Sequence, residues 1–258
     1  MSGPLAGRGV VITRPAGESQ RLAALIRDAG GVPLLYPAIE ILDPPDVGVL
    51  NEMIDRLDDF DLAIFISPSA VEKAMTRIGA RRALPGKLRY AAIGPGGVRV
   101  LKRFGIADVI APADDSLRYD SESLLATEFL QDIRGLRVVI FRGDGGRELL
   151  SETLTARGAQ IESVACYRRG KSTFDPAPLL NAWTRGEVAA VIITSSEGLR
   201  NFCERLGAAG KAWLPKTLMV VPHPRIAAVA RALGMKRVAE SASGDEALVQ
   251  TVIHHLSG

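Results

Sequence analysis

Short apolar, β-branched runs alternate with stretches of helical period along most of the chain. "GVVIT" at residues 9–13 has no polar face, as a strand covered on both sides requires. In the following "ESQRLAALIRDAG", Leu22, Leu25, Ile26 and Ala29 recur at helical spacing and Gly30 ends the period. "VPLLYPAIEIL" predicts a second extended run, punctuated by Pro33 and Pro37, and "PPD" at 44–46 breaks the chain. Next come a helix in "NEMIDRLDDF", a strand in "DLAIFIS", a helix in "PSAVEKAMTRIG", a strand in "LRYAAIG" and a helix in "PGGVRVLKRFG". "ADVIAP" predicts a last short strand and "DSESLLATEFLQDI" a closing helix. Strands alternating with helices imply an α/β fold, a parallel sheet with helices on both faces.

The second half repeats this order. "LRVVIFRGDGGRELLSETLTARGAQIESVACYRR" matches the first strand–helix–strand unit, "EVAAVIITSSEGLRNFCERLG" matches "DLAIFISPSAVEKAMTRIG", and "LMVVPHPRIAAVARALG" matches "RYAAIGPGGVRVLKRFG". Arg14 and Arg142 are 128 residues apart, as are Ser67 and Ser195, and Gly94 and Pro222. One offset held across three blocks points to an internal duplication of a five-stranded α/β unit.

Composition sharpens the class. With 258 residues, 47% of them hydrophobic, the chain can fill two cores. Lys and Arg exceed Asp and Glu by 32 to 29, with a pI near 9.0. No Lys/Arg run is longer than two, which argues against nucleic acid as a partner. Mild positive charge still draws a polyanionic small molecule. Two cysteines make no disulfide framework and suit a reducing compartment. The start "MSGPLAGRG" has no apolar signal region and no apolar run reaches membrane-spanning length, so a cytoplasmic protein without membrane association is expected, and a monomer.

In open α/β sheets ligands bind beyond the C-terminal strand ends. The turns there are "TRPAGE", "SPSA", "GPGG", "RGDGGRE", "TSSEG" and "PHPR". They aim backbone N–H groups and helix N-termini at a ligand, which suits anions. Arg14, Arg142, Arg147 and Arg225 add charge that can fork onto carboxylates. Gly94 and Gly143 stand in the same turns, and His223 can contact a ligand there. Two domains facing each other with such loops would form a cationic clamp.

Other chemistries find little footing. "RGDGGREL" has Glu148, and "GPGGVR" has Arg99, where a dinucleotide fingerprint needs its third glycine. His254 and His255 are adjacent and cannot chelate together on a helix, and no Cys/His/carboxylate set has metal-site spacing. Cys166 has no visible base beside it and reads as buried and inert; Cys203 reads as a core or boundary residue. Ser195 lacks a nucleophile elbow and reads as an N-cap hydroxyl that binds oxygen atoms. Tyr167 takes the place of Ile39 in the repeat: a packed aromatic on one reading, a polar tip facing a cleft on the other.

Together "VVITRPAGESQRLAALIRDAGGVPLLYPAIEI", "DFDLAIFISPSAVEKAM", "AAIGPGGVRVLKRFGI", "VVIFRGDGGRELLSETLTARGAQIESVACYRR" and "AVIITSSEGLRNF" resemble the uroporphyrinogen-III synthase family. The resemblance implies two flavodoxin-like domains joined by a two-stranded linker: residues 1–38 with 169–258, and 42–165, with crossovers near 38–42 and 165–169. From sequence alone, a tandem split near Gly135 is the alternative. The implied reaction is cyclisation of hydroxymethylbilane, a linear tetrapyrrole with eight carboxylates, with loss of water and inversion of ring D: a cofactor-independent lyase of haem biosynthesis, using no metal. A non-enzymatic two-domain protein binding an anionic small molecule is the alternative. The resemblance gives Tyr167 the catalytic place, assisting departure of the substrate hydroxyl or holding it. It matches Thr194, Ser195 and Ser196 to the family's Thr-Ser loop, with Ser67 and Ser69 as their counterparts. Arg14, Arg142 and Arg225 are the expected carboxylate ligands. Two positions depart from the family pattern: Gly97 stands where a threonine is frequent, and Ile66 where the Thr-Ser pair begins.

Overall fold

The computed structural model describes residues 3–113, 120–145 and 148–256. Along the chain run β1 (Gly9–Ile12), α1 (Gln20–Asp28), β2 (Val32–Leu35), β3 (Ile39–Leu42), α2 (Val47–Asp55), β4 (Leu62–Phe65), α3 (Pro68–Arg81), β5 (Arg89–Ala92) and α4 (Pro95–Arg103). Then come α5 (Ser121–Leu125), β6 (Arg137–Gly143), α6 (Leu149–Ala156), β7 (Gln160–Lys171), α7 (Ala177–Thr184), β8 (Val188–Ile192), α8 (Ser196–Gly210), β9 (Leu218–Val221), α9 (Pro224–Ala232), β10 (Val238–Glu240) and α10 (Asp245–Leu256). The chain forms two compact units, Met1–Glu40 with Gly170–Gly258, and Ile41–Arg169. Gly135 lies inside the second.

The first unit holds a five-stranded sheet in the order β10-β9-β8-β1-β2. Counted within the unit, that is the 2-1-3-4-5 order of flavodoxin-like sheets. Its recorded pairings are parallel. Val10, Val11 and Ile12 are fully buried, and so are Val220 and Val221. Each face has its own core: Val11, Val191, Leu199 and Phe202 on one, Val10, Ile12, Ile26 and Leu248 on the other. Runs without a polar face form these strands because helices cover both sides.

The second unit's sheet has the order β3-β7-β6-β4-β5. Phe65 and Phe141 stack with centroids 5.0 Å apart in one of its cores. Ile64, Val138, Ile140 and Leu154 fill the other. Three helix starts follow one recipe, a capping position followed by proline at the first helical residue: Ser67-Pro68, Gly94-Pro95 and His223-Pro224.

Two expected elements take another form. "ADVIAP" makes no strand; Ile110 forms a single parallel bridge to Ala91. With Pro112 after it, the segment has too few paired groups to extend a ladder. The closing helix is broken: α5 ends at Leu125, and a 3-10 turn occupies Glu128–Leu130. The Thr127 hydroxyl donates to Leu124 C=O at the break, a local bond that competes with helix continuation.

Candidate functional site

In the second unit Ser67, just after β4, and Gly143, at the end of β6, both meet Tyr167. Its side chain is buried, with 2% exposed, in the core that holds Phe65, Phe141 and Cys166. Its phenol oxygen meets a polar partner, lying 3.1 Å from Ser67 Oγ. Ser67 also caps α3, where its Oγ accepts from Ala70 N–H at 3.0 Å. Ser67 also lines a cleft of about 230 Å³ with Pro68, Ile93, Gly94 and Pro95. The N-termini of α3 and α4 both meet this cleft, so their N–H groups favour an anion there. Ser69 is buried one residue into α3. Gly97 is buried against the sheet, and a Cβ on it would lie 3.0 Å from Ala92 Cβ. A threonine there would need Ala92 or α4 to give way by a few tenths of an ångström.

Gly143 ends β6 under the ring of Tyr167. Arg142 turns to the other face of the sheet, where it pairs with Glu148 at 2.9 Å and lines a cavity of about 150 Å³ with Ile66, Leu150, Ser151 and Ser163. The Arg142 guanidinium, with the Ser151 hydroxyl, holds the Glu148 carboxyl below its ordinary range. Arg147 lies outside the described residues. Cys166 donates its S–H to Arg142 C=O at 3.2 Å, and burial pushes its thiol up to about 12. At neutral pH it is a thiol without nucleophilic character.

The first unit's strand ends are built differently. Thr13 Oγ1 donates to Ile192 C=O at 2.9 Å, tying the end of β1 to β8. Arg14 meets Asp245 at 2.5 Å, with 18% and 10% of the two side chains exposed. Its expected carboxylate partner is thus supplied by the first residue of α10. Ser195 caps α8 through Gly198 N–H at 2.9 Å. Ser196 Oγ is buried and, among the described residues, has no hydrogen-bond partner. Thr194 sits half-buried just before it. His223 Nδ1 accepts from Arg225 N–H at 3.0 Å, so this nitrogen, and not Nε2, is committed to capping α9. Arg225 itself is exposed.

Among the described residues, no group of three or more His, Cys, Asp or Glu could hold a metal ion, and no helix is long and apolar enough to cross a membrane. The family model described as "Uroporphyrinogen-III synthase HemD" matches residues 20–250. The chain belongs to the uroporphyrinogen-III synthase family. The uroporphyrinogen-III synthase of Salmonella typhimurium is 33% identical over 243 residues, covering 93% of this chain and 98% of that one. The Escherichia coli uroporphyrinogen-III synthase is 32% identical with the same coverage. Among solved structures, a uroporphyrinogen-III synthetase from Helicobacter pylori superimposes with a TM-score of 0.62 at 14% identity, covering 96% of this chain and 99% of that one. A mutant uroporphyrinogen III synthase from Thermus thermophilus gives 0.54 at 23% identity, covering 94% and 96%. These two likenesses concern the fold.

For a uroporphyrinogen-III synthase family member, the expected residues thus fall into separate settings. Tyr167, Ser67 and Gly143 lie together within one unit, with Tyr167 touching both of the others. Thr194, Ser195 and Ser196 line one helix N-terminus in the other. Arg14 and Arg142 are held by carboxylates of the chain itself. Sequence reasoning passed over Asp245, the partner of Arg14. The acidic start of α10 in "SGDEAL" signals a helix N-terminus, yet nothing local ties it to Arg14.

Proposed function

We propose that this chain catalyses the uroporphyrinogen-III synthase reaction, closing hydroxymethylbilane to the macrocycle with loss of water and inversion of ring D, as a lyase needing neither metal nor organic cofactor. The observation that carries the reading is the family match over residues 20–250. The strand-end chemistry supports it: serine hydroxyls, helix N-termini and arginines suit a substrate of many carboxylates.

The bilane's electron-rich terminal pyrrole can expel hydroxide to give an azafulvenium cation with an electrophilic methylene, and the chain can then close by itself, without inversion. The protein's task is therefore geometric: the substituted carbon of ring D must meet the electrophilic methylene first, giving a spirocyclic intermediate that rearranges. In this reading the Tyr167 hydroxyl donates to the departing hydroxyl as the C–O bond breaks. Ser67 holds the Tyr167 hydroxyl, while Ser69, Gly94 and Arg142 in one unit, and Thr194, Ser195, Ser196, His223 and Arg225 in the other, serve the carboxylates. Arg14 holds its own loop through Asp245 and meets substrate only where a carboxylate replaces that partner.

The proposal includes descent from a duplicated unit. The common 128-residue offset of Arg14 and Arg142, Ser67 and Ser195, and Gly94 and Pro222 supports it. So does the neighbouring of β3 and β7 in one sheet, which suits a two-stranded crossover between residues 1–38 with 169–258 and residues 42–165. The test is to give purified protein freshly made hydroxymethylbilane, oxidise the products and resolve the isomers. Isomer III in excess is expected; isomer I alone removes the enzyme reading.

A further inference from the structure

The turn "RGDGG" lacks the dinucleotide fingerprint, yet its first glycine is buried and closely covered. We propose that Gly143 and Ser67 are positioning residues that act through the Tyr167 hydroxyl, and that a bulge at Cys166 delivers the phenol to them. This rests on the reading of Tyr167 as the group that meets the departing hydroxyl.

The pairing of β6 with β7 is regular up to Arg142 opposite Ala165, then shifts so that Gly143 stands opposite Tyr167. Cys166 is the extra residue. In an unbroken strand Val164 and Cys166 would share one face and Tyr167 would point to the other. Instead all three enter the core that holds Phe65 and Phe141. The bulge has turned the phenol over, which is the usual effect of an inserted residue at a sheet's end. Backbone and side-chain bonds fix the distortion: Asp144 N–H donates to Tyr167 C=O at 2.9 Å, Arg169 N–H to Asp144 Oδ1 at 3.2 Å, and the Cys166 thiol to Arg142 C=O at 3.2 Å.

Turned over, the ring lies on Gly143. A Cβ there would sit 2.8 Å from Tyr167 Cζ, 2.9 Å from Cε2 and 3.0 Å from Oη. Gly143 is not among the glycines of positive φ, so it is present for space rather than for backbone freedom. Ser67 holds the other side. Its Oγ accepts from Ala70 N–H and lies 3.1 Å from Tyr167 Oη, where either hydroxyl can be the donor. In the proposed arrangement the serine proton goes to Oη and the phenol proton to a substrate oxygen. Gly143 fixes where the hydroxyl is, and Ser67 fixes which way it donates.

A double-mutant cycle tests this on the full chain, with kcat, KM and isomer ratio read on hydroxymethylbilane and melting read alongside. Gly143→Ala should lower kcat about tenfold to a hundredfold through a misplaced hydroxyl while KM stays within about twofold. In the Tyr167→Phe background the same substitution should leave kcat unchanged yet still lower the melting temperature, because phenylalanine keeps the two ring carbons that collide. A tyrosine-independent loss, equal in both backgrounds, or no loss of kcat in the wild-type background, overturns the inference. Full turnover by Tyr167→Phe alone instead removes the reading beneath it, and that single variant tells the two failures apart. Should Gly143→Ala not fold, Ser67→Gly gives the same cycle. It removes the hydroxyl with little cost to the helix start, since glycine is a tolerated cap. Its kcat loss should vanish with Tyr167→Phe and be rescued in Ser67→Thr; loss without rescue overturns the inference.

Discussion

The strand-end edges of the two units use similar residues to opposite ends. In the first unit Arg14 is sunk into an ion pair with Asp245, and a serine hydroxyl, that of Ser196, is left buried without a partner among the described residues. In the second, Arg142 pairs with Glu148, whose side chain is 58% exposed, and the serine hydroxyl of Ser67 is spent on a buried phenol. A satisfied arginine beside an unsatisfied hydroxyl suits holding a ligand; a hydroxyl pair backed by a close glycine suits placing one proton. The contrast teaches that residue type at a strand end does not decide its role. What decides it is whether the partner comes from the chain or is left to be supplied.

The arginines give the largest expected difference. Arg14→Ala strands a nearly buried Asp245 carboxylate and should cost about 3 kcal/mol. Arg142→Ala frees an exposed Glu148 and should cost less than about 1 kcal/mol. Urea unfolding checks both, and equal costs would break the contrast. Next is Gly97→Thr, which supplies the family's frequent side chain where Ala92 stands 3.0 Å from the new Cβ. Overpacking should cost about 2 kcal/mol without any gain in KM; a stabilised protein with tighter substrate binding would show that α4 has room. Ser195→Ala should cost about 1 kcal/mol as a lost helix cap, read by the same unfolding curves.

The last test concerns pH. Burial raises the folded Cys166 value to about 12 from an unfolded value of 9.0. The stability of the neutral thiol is therefore complete below about pH 9 and is lost as pH rises toward 12. Cys203, raised to about 11 by burial, adds to the same slope. Melting curves of Cys166→Ala between about pH 9 and 11 should be flatter than those of the wild type. An unchanged slope would place another group behind it.

Much of the fold was legible because it rests on local rules. Residues 10–12, 62–65, 138–141 and 218–221 are apolar without alternation, and each is a fully covered parallel strand. Ser67-Pro68 and Ser195 announce helix starts from their own chemistry. What stayed hidden depends on distant partners. Ile110 looks like a strand residue but finds only one bridge. Asp245 meets Arg14 across 231 positions. Gly143 reads as a flexible turn glycine until a bulge at Cys166, far along the chain, lays a phenol on it. The candidate site was visible as a set of loops, and its division of labour was not, because periodicity cannot report a register shift.

The proposed contrast, in which Tyr167 places the proton and Ser196 helps to hold the ligand, is tested most directly by one paired kinetic measurement. Tyr167→Phe and Ser196→Ala are compared with wild type on hydroxymethylbilane, with kcat and KM separated. The account predicts that Tyr167→Phe lowers kcat about 100-fold with KM nearly unchanged, while Ser196→Ala raises KM severalfold and spares kcat. The reverse assignment, or the same parameter moving in both variants, would contradict it.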